Sequence, residues 1–448
     1  MRQQNDKQSK GLSIQIVHQN AAGIDIGDML ISVAVPPGRD EVCVKEFGAF
    51  TSDLHAIAQW LKNCRIETVA MECTGVYWKN LFTMLIQYGF DVCLVNARHT
   101  RNVSGRKTDE KDAQWIQRLH TCGLLNSCFL PDDHTQTLRT LVRQRRSLTQ
   151  DSTRYILRMH KALEMMNIKL HAVISNITGK TGSSIIKAII SGERKPENFL
   201  QFVDRRIKAD QETILKSLQA NWRSEQLFLL EQSYRMHLSA QQEIQLCERQ
   251  IESALQTFTA PASQGVIEQA APRIKKAKTN NQPTFNTREY LKSIYGVDVL
   301  DIYGISEIGA LEILAETGTD LGKWPTEKHF VSWLNLCPNN KISGGKLISS
   351  HMLKKKPNPA SQAFRTAANS LQRSNHWLGD YFRRMKSKGG NKYAIVASSR
   401  KLAIIYYKMV RHKQPFQPFD NDEYKQKCQR AKIAYLERAL ARLKGDAA

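Results

Sequence analysis

The stretch Ala21-Ala22-Gly23-Ile24-Asp25-Ile26-Gly27 is the one from which the fold can be inferred. Its small and aliphatic residues predict a buried β-strand, and Asp25 is the single acid within it. An acid at such a position either caps a turn or belongs to a functional site. The rest of the chain has to supply partners for Asp25 if the second interpretation is right.

The elements predicted after this strand favour an α/β domain. In order, they are strands at 29–36 and 41–47, a helix at 52–63 behind a Ser52 cap, a strand at 67–71, a helix at 78–88 and a strand at 90–95. Glu72 follows the fourth strand directly, so a central strand and its neighbour can carry Asp25 and Glu72 to one edge of a sheet. Taken singly, Glu72 is explained as well by a charge at the rim of the domain.

A second pair of acids, Asp109 and Asp112, lies in the stretch 105–116. The two are three residues apart at the start of a predicted helix, so they share one helix face, and Thr108 can cap that helix. A solvated first turn is the simpler interpretation. If the helix lies against the sheet edge, the four acids can ionise together only around cations, which predicts Mg²⁺ or Mn²⁺. Two such ions, about 3.5–4 Å apart, can stabilise the attacking and leaving oxygens of a phosphodiester.

The charge of the chain points to a polyanionic partner. The 448 residues carry a net charge of +23, and the part from residue 341 onward holds 24 Lys and Arg against 6 Asp and Glu. A polyphosphate backbone matches this excess better than a small acidic substrate. The nine cysteines form no CxxC pair, so we expect reduced cytoplasmic thiols. No signal peptide and no apolar run of membrane-spanning length is apparent, so no membrane partner is expected.

Four motifs resemble the DEDD transposases of bacterial insertion sequences, in the insertion-sequence-110 family. They are Gly23-Ile24-Asp25-Ile26-Gly27, Met71-Glu72-Cys73-Thr74-Gly75-Val76-Tyr77-Trp78, Val95-Asn96-Ala97-Arg98-His99 and Gly105-Arg106-Lys107-Thr108-Asp109-Glu110-Lys111-Asp112. The resemblance implies a RuvC-like catalytic domain in which four acids hold the metal, namely Asp25, Glu72, Asp109 and Asp112. Cys73, where many relatives carry serine, departs from the pattern beside a ligand position.

Ser343, in the stretch Lys341-Ile342-Ser343-Gly344-Gly345-Lys346, is the candidate nucleophile. The two glycines predict a flexible turn that exposes its hydroxyl, although Ser-Gly-Gly is also ordinary turn chemistry. The stretch resembles the C-terminal domain of the same family, whose Pro-x-x-x-x-Ser-Gly motif carries a nucleophilic serine, and Pro338 and Ser343 match it. Lys341 and Lys346 would neutralise charge on the scissile phosphate.

Other basic residues are candidate nucleic-acid contacts, although such clusters are often only solvated faces. Together with the two lysines beside the serine, the set is Arg106, Lys107, Lys341, Lys346, Lys354, Lys355, Lys356, Arg383 and Arg384. A further cluster, Arg143 to Arg146, is more simply a solvated helix face. Gly304 and Gly309 flank a turn before a helix, which either holds a phosphate at the helix N-terminus or only reverses the chain.

The fold class predicted from these patterns is α/β plus α: an RNase H/RuvC-like mixed sheet with helices, a long helical middle and a mostly helical C-terminal domain. The middle is an antiparallel helical pair, a coiled coil that joins subunits, or a plain connector within one subunit. The predicted boundaries are a polar arm at 1–20, the catalytic domain at 21–132, the helical region at 133–259, a linker at 260–287, the transposase domain with the serine at 288–415 and a basic helical tail at 416–448.

The resemblance implies a DNA transposase or recombinase that exchanges strands through a covalent phosphoserine link. It further implies a structured guide RNA encoded by the element, donor and target DNA as substrates, and a homo-oligomer, dimer or tetramer, at the bacterial nucleoid. Two alternatives stay open: a RuvC-like metal-dependent endonuclease with water as nucleophile, and a nucleic-acid-binding scaffold without chemistry. An actin-like ATPase, whose fold also opens with Gly-Ile-Asp-Ile-Gly, is more distant because no second Gly-rich loop follows.

Overall fold

A computed structural model describes residues 16–73, 75–96, 112–258, 281–352 and 358–445. The predicted site residues that lie outside these ranges are Arg106, Lys107, Asp109, Lys354, Lys355 and Lys356. The chain divides into two compact units, Met1–Leu130 and Pro131–Ala448. Within the described ranges, every helix is too short or too polar to cross a membrane.

The first unit contains a five-stranded mixed sheet. Its strands are β1 (Ala21–Ile26), β2 (Leu30–Ala34), β3 (Val44–Gly48), β4 (Thr68–Glu72) and β5 (Asp91–Val95). They lie in the order β3-β2-β1-β4-β5, so the strand with the acid is central. β1 pairs antiparallel with β2 and parallel with β4, while β2–β3 is antiparallel and β4–β5 is parallel. The predicted mixed sheet is therefore confirmed.

Helices cover both faces of this sheet. They are α1 (Thr51–Asn63), α2 (Trp78–Gln87) and α3 (Asp112–Thr121). The main core lies under α1 and α2 and includes Ile24 and Met71. A smaller cluster of Ala70, Val95 and Ile116 lies on the α3 side. Alternate residues of β1 and β4 thus point to opposite faces, as strand geometry requires.

The second unit is mostly helical, as predicted. Its helices are α4 (Asp133–Met165), α5 (Leu170–Val173), α6 (Lys180–Ile190), α7 (Gln211–Ser217), α8 (Ser224–Phe258), α9 (Thr287–Tyr295), α10 (Glu307–Thr317), α11 (Glu327–Trp333), α12 (Pro359–Ser370), α13 (Trp377–His412) and α14 (Asn421–Gly445). Short 3₁₀ turns lie at Pro196–Phe202, Val299–Asp301, Leu321–Lys323 and Leu371–Arg373. The hairpin strands are β6 (Asn339–Ser343) and β7 (Lys346–His351).

The two longest helices of the middle region, α4 and α8, pack antiparallel within one chain. Arg145 of α4 and Glu248 of α8 form an ion pair of 2.7 Å, and both side chains are almost completely buried. The backbone N–H of Thr284 also donates to Glu248. Removing one partner of such a pair leaves a buried charge uncompensated, so the pair favours this register. Of the three alternatives for the middle region, the structure has the antiparallel pair.

Two local predictions were wrong. Ser52 does not cap α1, because the Asp53 carboxylate accepts the backbone N–H of Phe50 instead. Arg145 lies inside the second unit rather than on a solvated face. α13 has a kink at Gly389-Gly390, where Gly390 has a φ of 78°.

Candidate active site

Asp25 and Glu72 lie at adjacent positions of β1 and β4. The parallel register pairs Ile24 with Met71, one residue before each acid. Gly23, two residues before Asp25, faces α3 so closely that a Cβ there would overlap the backbone of Gln117. Because side chains alternate along a strand and paired residues of parallel strands share a face, both acids project on the α3 side of the sheet.

The direction of α3 determines where Asp112 lies. Gln117, in the second half of α3, donates from Nε2 to the carbonyl of Ala21 at the start of β1, at 3.3 Å. The carbonyl of Ala113, one turn earlier, lies over Gly23 further along β1. The helix therefore runs antiparallel to β1. Asp112, the first described residue of α3, lies toward the carboxyl end of β1, where the two strand acids are.

Ser32 is a neighbour of Asp25 that the sequence patterns did not reveal. The β1–β2 register places Ser32 directly opposite Asp25, and opposite residues of an antiparallel pair have Cβ atoms about 4.5–5.5 Å apart. The Ser32 hydroxyl is buried and has no hydrogen-bond partner among the described residues. A buried polar atom of this kind is normally completed by water or a ligand. The sequence feature that could have indicated Ser32 is its position between the aliphatic residues Ile31 and Val33 of a predicted strand.

The chemistry of these side chains fits a divalent cation. Carboxylate and hydroxyl oxygens are the hard donors that Mg²⁺ and Mn²⁺ take. In the described part of the chain, however, no three His, Cys, Asp or Glu side chains are grouped closely enough to hold a metal ion. Asp109, the fourth predicted ligand, lies outside that part. The structure thus supports a metal site by two observations. Asp25 and Glu72 lie at adjacent strand positions, and the buried Ser32 hydroxyl has no hydrogen-bond partner among the described residues.

Ser343 is presented on an exposed β-hairpin in the second unit. It is the last residue of β6 and is followed by Gly344 and Gly345, which have φ values of 53° and 74°. Positive φ at both central residues is typical of the two-residue turns that match the twist of a hairpin. Every residue of β6 is exposed, and so are all residues of β7 except Ser349. The hydroxyl is therefore presented to solvent, on a hairpin rather than on an irregular turn.

Two lysines share the serine's face of this hairpin. Ser343 pairs directly with Lys346 across the turn. Lys341 precedes Ser343 by two positions on β6, so strand alternation places it on the same face. The hairpin has a register shift between Lys341 and Ile342, which increases its local twist. The arrangement places two lysines on the same face as one exposed hydroxyl, which suits an anionic substrate.

Two protein-family models match the chain, one in the region of the four acids and one in the region of Ser343. Residues 22–168 match a family described as DEDD_Tnp_IS110, Transposase. Residues 298–383 match the Transposase IS116/IS110/IS902 family. The two matches together cover just over half of the 448 residues. The chain belongs to the IS110 family of DEDD transposases. No curated protein shows significant similarity to it. The family suggests a divalent metal cofactor and implies DNA substrates.

Cys73, the departure from the family pattern, is held by contacts on the other face of the transposase sheet. Its backbone N–H donates to the carbonyl of Val95 at 2.9 Å, and the N–H of Cys128 donates to the carbonyl of Leu94 at 2.6 Å. Both cysteines pack against the main core. Contact with the Cys73 thiol, together with burial, raises the pKa of Cys128. A thiol pair therefore supports the strand end that carries Glu72.

Two of the basic candidates that the structure describes, Arg383 and Arg384, contact other residues of the transposase. Arg383 donates to the carbonyl of Ser374 at 2.8 Å and to the Asp380 carboxylate at 2.6 Å, which are contacts inside the second unit. Arg384 donates to the Cys428 sulfur at 3.0 Å and lies over the Tyr424 ring. Both guanidinium groups thus also have structural contacts.

The helix N-terminus after Gly304 is already capped by the protein. The Ser306 side chain accepts the N–H of Gly309 at 3.2 Å. Gly304 has a φ of 88°, and a Cβ there would lie 2.6 Å from the carbonyl oxygen of Ala367. The tight turn is therefore explained by close packing of α12 and needs no phosphate.

Proposed function

We propose that this transposase cleaves and rejoins DNA strands through a covalent phosphoserine link at Ser343. The observation that carries the proposal is the exposed Ser343 hydroxyl on the hairpin, with Lys346 directly across the turn and Lys341 on the same face. The hydroxyl of a structural serine is expected to cap a helix or to form a buried hydrogen bond. The Ser343 hydroxyl is instead exposed to solvent, on the same face of the hairpin as two lysines.

The four acids form the second part of the proposed site. Asp25, Glu72, Asp109 and Asp112 would hold Mg²⁺ or Mn²⁺ through carboxylate oxygens, and the Ser32 hydroxyl would orient a bound water or a ligand beside Asp25. When bound, the metal would polarise the scissile phosphate. The adjacent positions of Asp25 and Glu72 support this assignment.

The bond changes balance without net hydrolysis. The Ser343 oxygen bonds to phosphorus, the phosphorus–oxygen bond to one DNA strand breaks, and the proton lost by the serine is matched by the proton that the leaving oxygen gains. A hydroxyl of another strand then attacks the phosphoserine and regenerates the serine. Lys341 and Lys346 stabilise the extra negative charge on the phosphate as each bond forms.

We further propose an element-encoded guide RNA and a homo-oligomer, dimer or tetramer, that acts at the bacterial nucleoid. Exposed apolar side chains on the helical pair support an assembly through this region. They are Leu157 of α4 and Phe228, Leu229, Met236 and Leu238 of α8. Exposed apolar patches on a protein surface commonly mark protein interfaces. The net charge of +23 supports binding to RNA as well as to DNA.

A RuvC-like endonuclease with water as nucleophile is the second candidate, because the acids at the sheet edge suffice for metal-dependent hydrolysis. Quenching the cleavage reaction in denaturant distinguishes the serine route from the water route. The serine route leaves protein covalently attached to cleaved DNA, and Ser343→Ala abolishes cleavage while DNA binding persists. Full cleavage by Ser343→Ala would establish the water route. Unchanged recombination by Asp25→Ala and Asp112→Ala, with no effect of Mg²⁺, would leave only the non-catalytic scaffold.

A further inference from the structure

An aromatic and cationic cluster lies where α14 packs against α13, away from the serine hairpin in sequence. The Trp377 ring packs against Phe419 and Tyr424, with centroid distances of 6.1 and 5.8 Å. The Lys401 ammonium lies 5.7 Å from the centre of the Trp377 ring, and the Lys427 ammonium lies 5.8 Å from the centre of the Phe419 ring. We call these five residues the Trp377 cluster. The proposed strand-exchange chemistry does not use it.

Neither lysine of this cluster, Lys401 or Lys427, forms a salt bridge in the part of the chain that the structure describes. Lys401 is half-buried, and burial together with the nearby Lys408 and Lys427 lowers its pKa. Packing on aromatic faces gives each ammonium a favourable position but does not neutralise it. The cluster therefore brings together one half-buried ammonium group, Lys401, and one exposed ammonium group, Lys427.

The indole N–H of Trp377 is a second unsatisfied feature at the same place. Trp377 is only 7% exposed, and its Nε1 atom has no acceptor among the described residues. A buried donor without an acceptor destabilises the folded state, so native proteins rarely leave one. The need for an acceptor and the need for negative charge coincide within one cluster.

We propose that the Trp377 cluster binds a phosphate group of a nucleic-acid backbone. The phosphate oxygens accept the Trp377 indole N–H and neutralise Lys401 and Lys427. The rings on which these lysines lie are centred 6.1 Å apart, and the charge of Lys427 acts on Lys401. Arg384, which lies 5.6 Å from the Tyr424 ring centre, extends the positive edge. The proposal rests on the proposed function only in taking nucleic acid as its ligand, and Ser343 has no part in it.

The charge test uses the full-length transposase and a fluorescent oligonucleotide, as duplex DNA in one arm and as single-stranded RNA in the other. The variant is Lys401→Gln/Lys427→Gln. The matched control, Lys425→Gln/Lys432→Gln, removes the same charge from α14 outside the cluster. Fluorescence anisotropy should show about tenfold weaker binding for the variant. The slope of log affinity against log salt should fall by about 1–2 for the variant, with a smaller change for the control.

The hydrogen-bond test uses Trp377→Phe, which keeps an aromatic ring but removes the donor. Binding should weaken about tenfold with an unchanged salt slope, because no charge is lost. Lys401→Arg/Lys427→Arg should bind nearly as the natural protein does. Thermal unfolding of each variant separates a binding effect from a folding defect, since a merely structural cluster would change stability and leave the affinity of the folded fraction unchanged.

The two arms identify the strand that supplies the phosphate. Loss of binding to duplex alone assigns the cluster to DNA, loss to RNA alone assigns it to a guide RNA, and loss to both supports the shared backbone chemistry. Equal losses for the variant and its lysine control, or natural affinity of Trp377→Phe in both arms, would overturn the proposal. Ser343→Ala should bind normally, so a failure of the serine mechanism would leave this result standing.

Discussion

Asp25 lies on the central strand of a buried sheet, whereas Ser343 lies at the tip of a hairpin whose residues are almost all exposed. The position of Asp25 is set by the packing of the strand before it, since Ile24 is fully buried on one face of the sheet and Gly23 lies against α3 on the other. The position of Ser343 is set only by a two-residue turn and the ladder beside it. The acids are thus sensitive to changes in the core, while the serine depends on its hairpin and on what the hairpin contacts.

The largest effect is expected on the hairpin side of this comparison. Ser343→Ala removes the proposed nucleophile and should lower strand cleavage by about 10⁴-fold or more, as removal of a nucleophile does in other enzymes. Cleavage of donor DNA in a denaturing gel measures it, and DNA affinity should stay unchanged. Ser349→Ala, on the opposite strand of the same hairpin, is the control. Equal losses in both variants would show that the hairpin rather than the hydroxyl matters.

The sheet side is tested by Asp25→Asn, which keeps size but removes charge. Cleavage should fall by about 10²–10³-fold, because the amide is a poorer ligand for a divalent ion and the electrostatic contribution to the reaction is lost. The same gel assay across a Mg²⁺ titration measures the effect. Asp28→Asn, in the exposed turn that follows β1, is the matched control. Retention of natural cleavage by Asp25→Asn would remove the acids from the site.

Glycine substitutions compare how tightly the sheet around Asp25 and the hairpin around Ser343 are packed. Gly23→Ala should destabilise the first unit by about 3 kcal/mol, the upper end for overpacking, because the added Cβ overlaps the backbone of α3. Gly344→Ala meets no atom within 4 Å, and its cost of about 1–2 kcal/mol comes only from the left-handed backbone of the turn. Hydrogen exchange of the β1 amides should accelerate in Gly23→Ala alone. Natural protection there would contradict the tight packing.

A pH effect is expected for the sheet unit. Burial, and to a lesser degree His18, lowers the pKa of His120 to about 4, and Thr68 shares a hydrogen bond of 2.9 Å with its Nε2. The unfolded chain, with an ordinary histidine pKa near 6.5, takes up the proton first as the pH falls. Stability should therefore decrease between about pH 6.5 and 4, by roughly 2 kcal/mol at pH 5.

Hydrogen exchange of β1 and β4 amides at pH 7 and pH 5 measures this loss, with exchange rates corrected for their intrinsic pH dependence. His120→Gln should remove most of the difference between the two pH values. His134→Gln, in the second unit, should leave it in place. An undiminished pH effect in His120→Gln would assign it to other groups.

The smallest effect concerns Ser32. If its orphaned hydroxyl orients a water or ligand beside Asp25, Ser32→Ala should raise the Mg²⁺ concentration needed for half-maximal cleavage by about tenfold, the size found when a group behind a metal ligand is removed. Cleavage at saturating Mg²⁺ should be nearly restored. Ser52→Ala, exposed on α1, is the control. An unchanged Mg²⁺ requirement would make the serine a packing residue only.

The sheet was predictable because its signals are local. An acid inside a small-residue strand and another directly after a later strand indicate one edge, and the β1–β4 register agrees with that expectation. Ser32 was missed because its place beside Asp25 depends on the register of β1 and β2, which strand composition does not determine. The β6–β7 strands were missed because they are polar and exposed, although Gly344-Gly345 is a hairpin signal.

Arg145 of α4 was misread for a different reason. Its partner is far away in sequence, since Arg145 bonds Glu248 over 103 residues, and the exposed Arg143 likewise bonds Glu316 over 173. No local pattern distinguishes such an arginine from a solvated or DNA-binding one, since the buried partner becomes apparent only when the helices pack. The same limit applies to the Trp377 cluster, whose aromatic residues are brought together by α13 and α14.

The central claim is that the exposed serine of the hairpin, and not water, breaks the DNA strand. The most direct measurement is mass spectrometry of the transposase after quenching a reaction on donor DNA in denaturant and digesting the DNA and protein. The account predicts a nucleotide covalently attached to the peptide that contains Ser343. Cleaved DNA accompanied by unmodified Ser343 at every time point of the reaction would contradict it.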